Sequence, residues 1–275
     1  MEFALWGDGP DVLALHGAMG GYDQGLLLAQ AAVGAPRFRC IAPSRPGYLG
    51  TPFGADRTPE AQADRCAALL DTLGVESAAV VAISGGGQCA LEFALRHSRR
   101  CRALVMISAC SAQLTAPVPF RFQIVKFMFR IPWLAERLRK KAAQNPEAAA
   151  RQSIPDPAVR ARTLADPEAG PLMRALQEST MQRVPERLPG TENDIFQSRR
   201  SFSYPLERLS MPMLAVHGTD DEAVPVVDAK ALAARAPHGD LLVLEGGRHT
   251  SLFTHIHEIR SRVVSFLEAS NRNTI

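Results

Sequence analysis

Four short stretches carry residues that could do covalent chemistry. In "VVAISGGGQCALEFA" (80–94) an apolar run stops at Ser84, three glycines follow, and a helical pattern resumes. A serine on a sharp strand-to-helix turn can act as a nucleophile. Such a turn has room only for small residues two places before and after, here Ala82 and Gly86. The following helix directs its N-terminus at the serine, which favours developing negative charge. "HGAMGG" (16–21) closes an earlier apolar run and could aim a backbone N–H at an oxyanion. The amides of Ala18 and Gly85 would then form a two-donor hole, each donor worth about 10²–10³ in kcat. "HGTDDEAVP" (217–225) offers Asp220 and Asp221, and "GGRHTSLF" (246–253) places His249 on a glycine loop. Serine needs a base, and the base needs an orienting carboxylate.

Plainer readings stand beside these. Ser84 could mark a glycine turn without chemistry. A phosphate loop is disfavoured, because G-K-[ST] is absent and Gly85-Gly86-Gly87 lacks the G-x-G-x-x-G frame. His249 could be a surface-loop histidine. His255 and His257 fall on a predicted helix with an exposed face, and His97 on an exposed helix end. His16 and His217 each precede glycine at a strand end and read as structural, hydrogen-bonding loop backbone. The five cysteines show neither C-x-x-C nor metal-ligand spacing; they read as buried thiols of a reducing compartment, and no metal is expected.

These loops need a frame that brings them to one edge. Strands are predicted in "DVLALHG", "RFRCIAPS", "AAVVAIS", "RALVMIS", "MPMLAVHG" and "DLLVLEGG". Helices are predicted in "PEAQADRCAALLDTLGV" (Thr58 as N-cap, Pro59 first, Gly74 as stop), "GQCALEFALRHS", "VPVVDAKALAARAP" and "HIHEIRSRVVSFLEAS". Apolar strands alternating with helices imply a mostly parallel, twisted sheet covered on both faces, with sites at the carboxyl ends of strands.

Residues 113–205 break the alternation. They hold 15 of the 31 Lys+Arg, 9 of the 28 Asp+Glu, 11 of the 20 prolines and 2 of the 20 glycines. They are basic where the rest is acidic, and they read as a proline-punctuated helical insert. Phe120, Ile124, Phe127, Met128, Ile131 and Leu134 form a predicted apolar stripe, with Pro132 separating two helices. The stripe has three readings, in order of preference: packing on the main domain, lining an apolar acyl pocket, or contact with anionic lipid. The basic run from Arg130 to Lys141 reads as a solvated face, or as an attractor of anionic substrate.

Taken together, "HGAMGGYDQG", "APSRPGYLGTP", "AISGGGQCALEFA", "HGTDDEAVP" and "GGRHTS" resemble the α/β-hydrolase superfamily, over the chain outside the insert and in the family's order. The resemblance implies an α/β-hydrolase main domain at 1–112 and 206–275 with a helical cap at 113–205. It implies Ser84 as nucleophile, His249 as base, Asp221 rather than Asp220 as acid, Ala18 and Gly85 as oxyanion donors, and no cofactor. Ala82 departs from the common elbow glycine, Ser44 stands where aspartate is frequent, and the usual N-terminal antiparallel strands are short or missing. The expected activity is hydrolysis of an ester-like bond in a small, partly apolar substrate through an acyl-serine, as in carboxylesterases. Thioesterase, C–C bond hydrolase, perhydrolase, acyltransferase, lyase and non-catalytic ligand receptor are the alternatives. Serine at 84 argues against the aspartate-nucleophile dehalogenases and epoxide hydrolases. The net charge of +3 does not point to nucleic acid. The N-terminal "MEFALWGDGP" has no basic, apolar leader pattern, so a cytoplasmic protein is expected, monomeric or homodimeric.

Overall fold

A computed structural model describes residues 1–34, 37–54, 57–115, 124, 126–129, 131, 133–134, 136–137, 140, 144–200 and 202–272. Its centre is a seven-stranded sheet of order β1-β3-β2-β4-β5-β6-β7. The strands are β1 (Phe3–Trp6), β2 (Asp11–Leu15), β3 (Arg39–Pro43), β4 (Ala78–Ile83), β5 (Cys101–Ile107), β6 (Met213–Gly218) and β7 (Gly239–Leu244). Only β1 runs antiparallel, against β3; the remaining described pairs are parallel.

The strand sequences are apolar at nearly every position because both faces are covered. Leu13, Leu15, Val80, Ala82, Leu104, Met106, Met213 and Ala215 point to one side, into a core shared with α2 (Pro59–Thr72), α3 (Gly87–Arg96) and α8 (Val226–Arg235). Their neighbours Val12, Ala14, Ala79, Val81, Val105, Ile107, Leu214 and Val216 point to the other. There they meet α1 (Tyr22–Val33), the short α9 (Ser251–Thr254) and α10 (Ile256–Arg272). Thr58 caps α2 as expected, accepting from the Ala61 N–H, with Pro59 in the first turn and Gly74 turning at φ 65°. All five cysteines are buried and free.

Between β5 and β6 the described residues form α4 (Pro146–Arg151), α5 (Pro157–Ala165), α6 (Ala169–Met181) and α7 (Val184–Arg199). Prolines open α4, α5 and α7, where a missing N–H breaks no helical bond. Asn145 and Asp156 cap the first two by accepting from Ala148 and Val159 N–H. Pro189 sits inside α7.

Three expectations need correction. The apolar stripe is not one buried face: Ile124 is 47% and Phe127 64% exposed, Met128, Ile131 and Leu134 are half-buried, and Phe129, off the stripe, is buried. Phe120, Pro132, Arg130 and Lys141 lie outside the described residues. The last helix is interrupted at His255, which is half-buried and bonded to Thr254, so only His257 stands on an exposed face. His97 does end α3 but is half-buried; its ring bonds Asp64 at 2.8 Å and packs at a tilt on Phe93. The N-terminal antiparallel strand is short, four residues in β1, as the resemblance implies, whereas helix α1 is absent from the predicted elements. No helix among the described residues is long and apolar enough to cross a membrane.

Candidate active site

The carboxyl ends of β2, β4, β6 and β7 bring the four stretches together. At the end of β4 the chain turns into α3 through Ser84, whose φ of 51° is left-handed. That conformation costs an L-residue about 1–2 kcal/mol and holds the side chain up out of the turn. The turn is tight against its neighbours. A Cβ at Gly86 would stand 2.6 Å from the Leu15 carbonyl and 2.7 Å from that of His16. One at Gly87 would stand 2.6 Å from the Cys110 carbonyl, which explains the third glycine: it lets α3 start against the loop after β5. Ala82 is fully buried in the sheet between Leu15 and Met106.

The loop after β7 places His249 Nε2 2.9 Å from Ser84 Oγ. The loop after β6 places Asp221 at the other ring nitrogen, with His249 Nδ1 2.8 and 3.1 Å from its two oxygens. A carboxylate only accepts, so Nδ1 carries the proton and the Nε2 lone pair faces the serine hydroxyl. Asp221 also accepts from the Ala223 and Val224 amides at 2.9 and 3.0 Å. His217 Nε2 donates to the Val224 carbonyl at 2.9 Å and lies 3.4 Å from Asp221. Burial alone would push the Asp221 carboxyl up; the imidazoles of His217 and His249 and these amides reverse this and hold it well below the usual range. Asp220 is exposed and bonds only Thr219 and backbone, away from the histidine.

The Gly17–Gly21 loop closes the fourth side. A Cβ at Gly17 would be 3.0 Å from Ser84 Cβ, and one at Gly85 would be 3.4 Å from Ala18 N, so the two expected donor amides are neighbours beside the serine. His16 is structural: Nε2 accepts from the Arg45 amide at 3.0 Å and Nδ1 donates to the Gly17 carbonyl at 2.8 Å. Burial, reinforced by Arg45, holds its pKa well down, which keeps it neutral for both bonds.

Behind this loop lies a group that the sequence did not flag. Arg45 and Asp194 form a buried two-pronged ion pair, 2.9 and 2.5 Å. Tyr48 donates to the same carboxylate at 2.5 Å, and Gln62 accepts from Arg45 at 2.9 Å. Burial opposes the Arg45 charge, but Asp194 more than compensates. Within the insert a cavity of about 740 Å³ is lined by Met173, Leu176, Met181, Gln152, Arg174 and Gln177, among others. Two of its walls touch the loops that carry His249 and Ala18: the Ser153 carbonyl accepts from Thr250, beside His249, and Met181 joins the apolar cluster that Met19 covers. Gln177 Nε2 is buried and finds no hydrogen-bond partner among the described residues. Among those residues no cluster of three or more His, Cys, Asp or Glu could hold a metal.

A serine, a base and a buried acid linked in this way can perform acyl transfer. The chain is similar in sequence to an uncharacterized hydrolase, YcgS, of Bacillus subtilis (strain 168), 29% identical over 136 residues. That match spans about half the length of either protein, 48% of this chain and 46% of the other. A 2-hydroxymuconate semialdehyde hydrolase of Pseudomonas sp. (strain CF600) is 24% identical over 241 residues, 86% of this chain and 79% of that one. Among solved structures, an alpha/beta hydrolase fold protein from Nakamurella multipartita superposes with a TM-score of 0.86 at 32% identity, covering 97% of this chain and 95% of that one. The model of the alpha/beta hydrolase fold family matches residues 10–256, which takes in β2 through the start of α10 and every loop of the site; the chain belongs to that family.

Proposed function

We propose that the protein is a serine hydrolase of carboxylesterase type, with residues 113–205 as its cap. The observation that carries this is the continuous contact from Ser84 Oγ through His249 to the buried Asp221. Ser84 Oγ attacks the ester carbonyl while His249 Nε2 takes its proton. The oxyanion forms against the Ala18 and Gly85 amides. When the oxyanion collapses, the alcohol leaves with the proton from His249, and an acyl-serine remains. Water, deprotonated by His249, then releases the acid and restores Ser84. Asp221 holds the ring and stabilises its cation.

The cavity within the insert, two of whose walls touch the site's loops, supports a small, partly apolar substrate: Met173, Leu176 and Met181 line it beside charged residues such as Arg174 and Glu178, and Gln177 offers one unmet donor. The test is labelling by a fluorophosphonate together with turnover of a p-nitrophenyl ester series of increasing chain length. Wild type should label and turn over; Ser84→Ala and His249→Ala should do neither. A wild type that does not label, or a Ser84→Ala protein that labels equally, overturns the assignment. The likeness to a 2-hydroxymuconate semialdehyde hydrolase supports a second reading, in which the same side chains hydrolyse a bond other than an ester.

A further inference from the structure

The loop carrying the Ala18 amide is held from outside by a helix that belongs to the insert. Resting on the reading of Ala18 and Gly85 as oxyanion donors, we propose that Thr191, Arg187 and Asp194 of α7 are positioning residues for the oxyanion hole.

The argument is one of peptide planes. In a trans peptide the C=O and the next N–H point in opposite directions. The Ala18 N–H shares its plane with the Gly17 carbonyl. That carbonyl is held by His16 Nδ1 at 2.8 Å and faces Arg45 Nη2 at 3.5 Å. Arg45 Nε also binds the His16 carbonyl at 3.0 Å. With these oxygens fixed behind the loop, the Ala18 N–H is turned toward the serine side. Arg45 is itself fixed by Asp194, which reaches in from α7.

The next planes are held directly. Met19 adopts φ 58°, a left-handed conformation that a non-glycine residue keeps only when its surroundings enforce it. The Met19 N–H donates to Thr191 Oγ1 at 2.9 Å. The Thr191 hydroxyl spends its own proton on the Arg187 carbonyl at 2.9 Å, so its lone pair is the one left for Met19. Arg187 Nη1 reaches the Gly20 carbonyl at 2.8 Å and that of Met19 at 3.3 Å. Its other prong binds Asp23 Oδ2 at 2.6 Å, at the start of α1. Thus α7 grips the loop at the residue after the donor and, through Arg45, at the residue before it. On this account α7 is a fixed wall of the catalytic centre.

Thr191→Val removes one acceptor and keeps the shape. The expected result is kcat for a p-nitrophenyl ester lower by about tenfold at unchanged KM, with weaker inhibition by a trifluoromethyl ketone, whose hydrate-like adduct needs the hole. Thr191→Ser should restore both. Arg187→Lys, which keeps the charge beside Asp23 but loses the fork, should reproduce the kcat loss should the valine variant not fold. A kcat within twofold of wild type in both variants, or a loss confined to KM, overturns the proposal. Failure of the esterase reading is separate: it appears as a wild type whose Ser84 takes no fluorophosphonate. In that case the positioning claim is decided by amide hydrogen exchange at Ala18 and Met19, which Thr191→Val should accelerate and which an uncoupled loop would leave unchanged.

Discussion

Asp221 accepts from two backbone amides as well as from His249, so its loop has reasons to keep its shape without a negative charge. Replacing it by asparagine leaves those backbone bonds an oxygen. It offers the His249 Nδ1–H an amide in place of a carboxylate, and the ring can settle in the wrong tautomer. Asp221→Asn should therefore lower kcat by about 10³–10⁴-fold while circular dichroism stays that of the wild type; an activity within tenfold would deny Asp221 its role. Ser84 shows the opposite trade, in which local strain would serve the proposed reaction. Its left-handed backbone suits glycine better than any residue with a Cβ. Among inactive variants, Ser84→Gly should thus be more stable than Ser84→Ala by about 1 kcal/mol, read as the higher Tm. Equal melting temperatures would mean that the turn is not strained.

At the scale of elements, helix α7, which carries an internal proline, bonds a loop from elsewhere. Pro189 has no N–H to offer the Pro185 carbonyl one turn back. Gly190 donates to the Gly47 carbonyl at 2.8 Å, and Glu186 accepts from Leu49 at 2.8 Å. A Cβ at Gly190 would run into the Tyr48 ring, 2.2 Å from its nearest carbon. Gly190→Ala should consequently destabilise the fold by about 1–3 kcal/mol despite alanine's better helix propensity, as a lower midpoint in urea. An unchanged or raised midpoint would show that the α7–Tyr48 contact is loose. This element also shows what was legible beforehand. Ser84, Asp221 and His249 each sit in a loop marked by glycine at the end of an apolar strand, so loop chemistry brings them forward as candidates, and the family resemblance, not spacing, selects Asp221 over Asp220. The Arg45–Asp194 pair was not, since charges read as solvated by default and the partners stand 149 residues apart. Helix α1 escaped because most of it is buried, Gln24 included, so "GLLLAQAAV" shows no polar face to set its period. The stripe in the insert misled for the converse reason, with Phe127 exposed while Phe129 carries the packing.

For the whole molecule, the charges that join the insert to the sheet predict how acid takes it apart. Asp23 of α1 binds Arg187 and Ser179; Asp166, between α5 and α6, binds His257 of α10 at 2.8 Å. Burial raises the Asp23 carboxyl, but Arg187 outweighs this and its pKa lies below the usual value. Asp166 is held down to about 2, first by the Ala169 amide and then by His257. A carboxylate depressed in the folded state stabilises it fully above its unfolded pKa of about 3.9 and loses that contribution as pH falls through the folded value. Both carboxylates therefore contribute at neutral pH; the Asp166 contribution fades as pH falls from about 4 through about 2, and that of Asp23 as pH falls below its unfolded value. Despite its burial, Asp221 is held lower still by the imidazoles around it, so the insert contacts loosen before its loop does as the pH falls. Asp166→Asn should melt below the wild type at pH 6, and the gap between the two melting curves should close as pH falls through about 2, where the wild-type carboxylate takes up its proton. A difference that stays constant across this range would mean that Asp166 acts through its backbone turn and not through its charge.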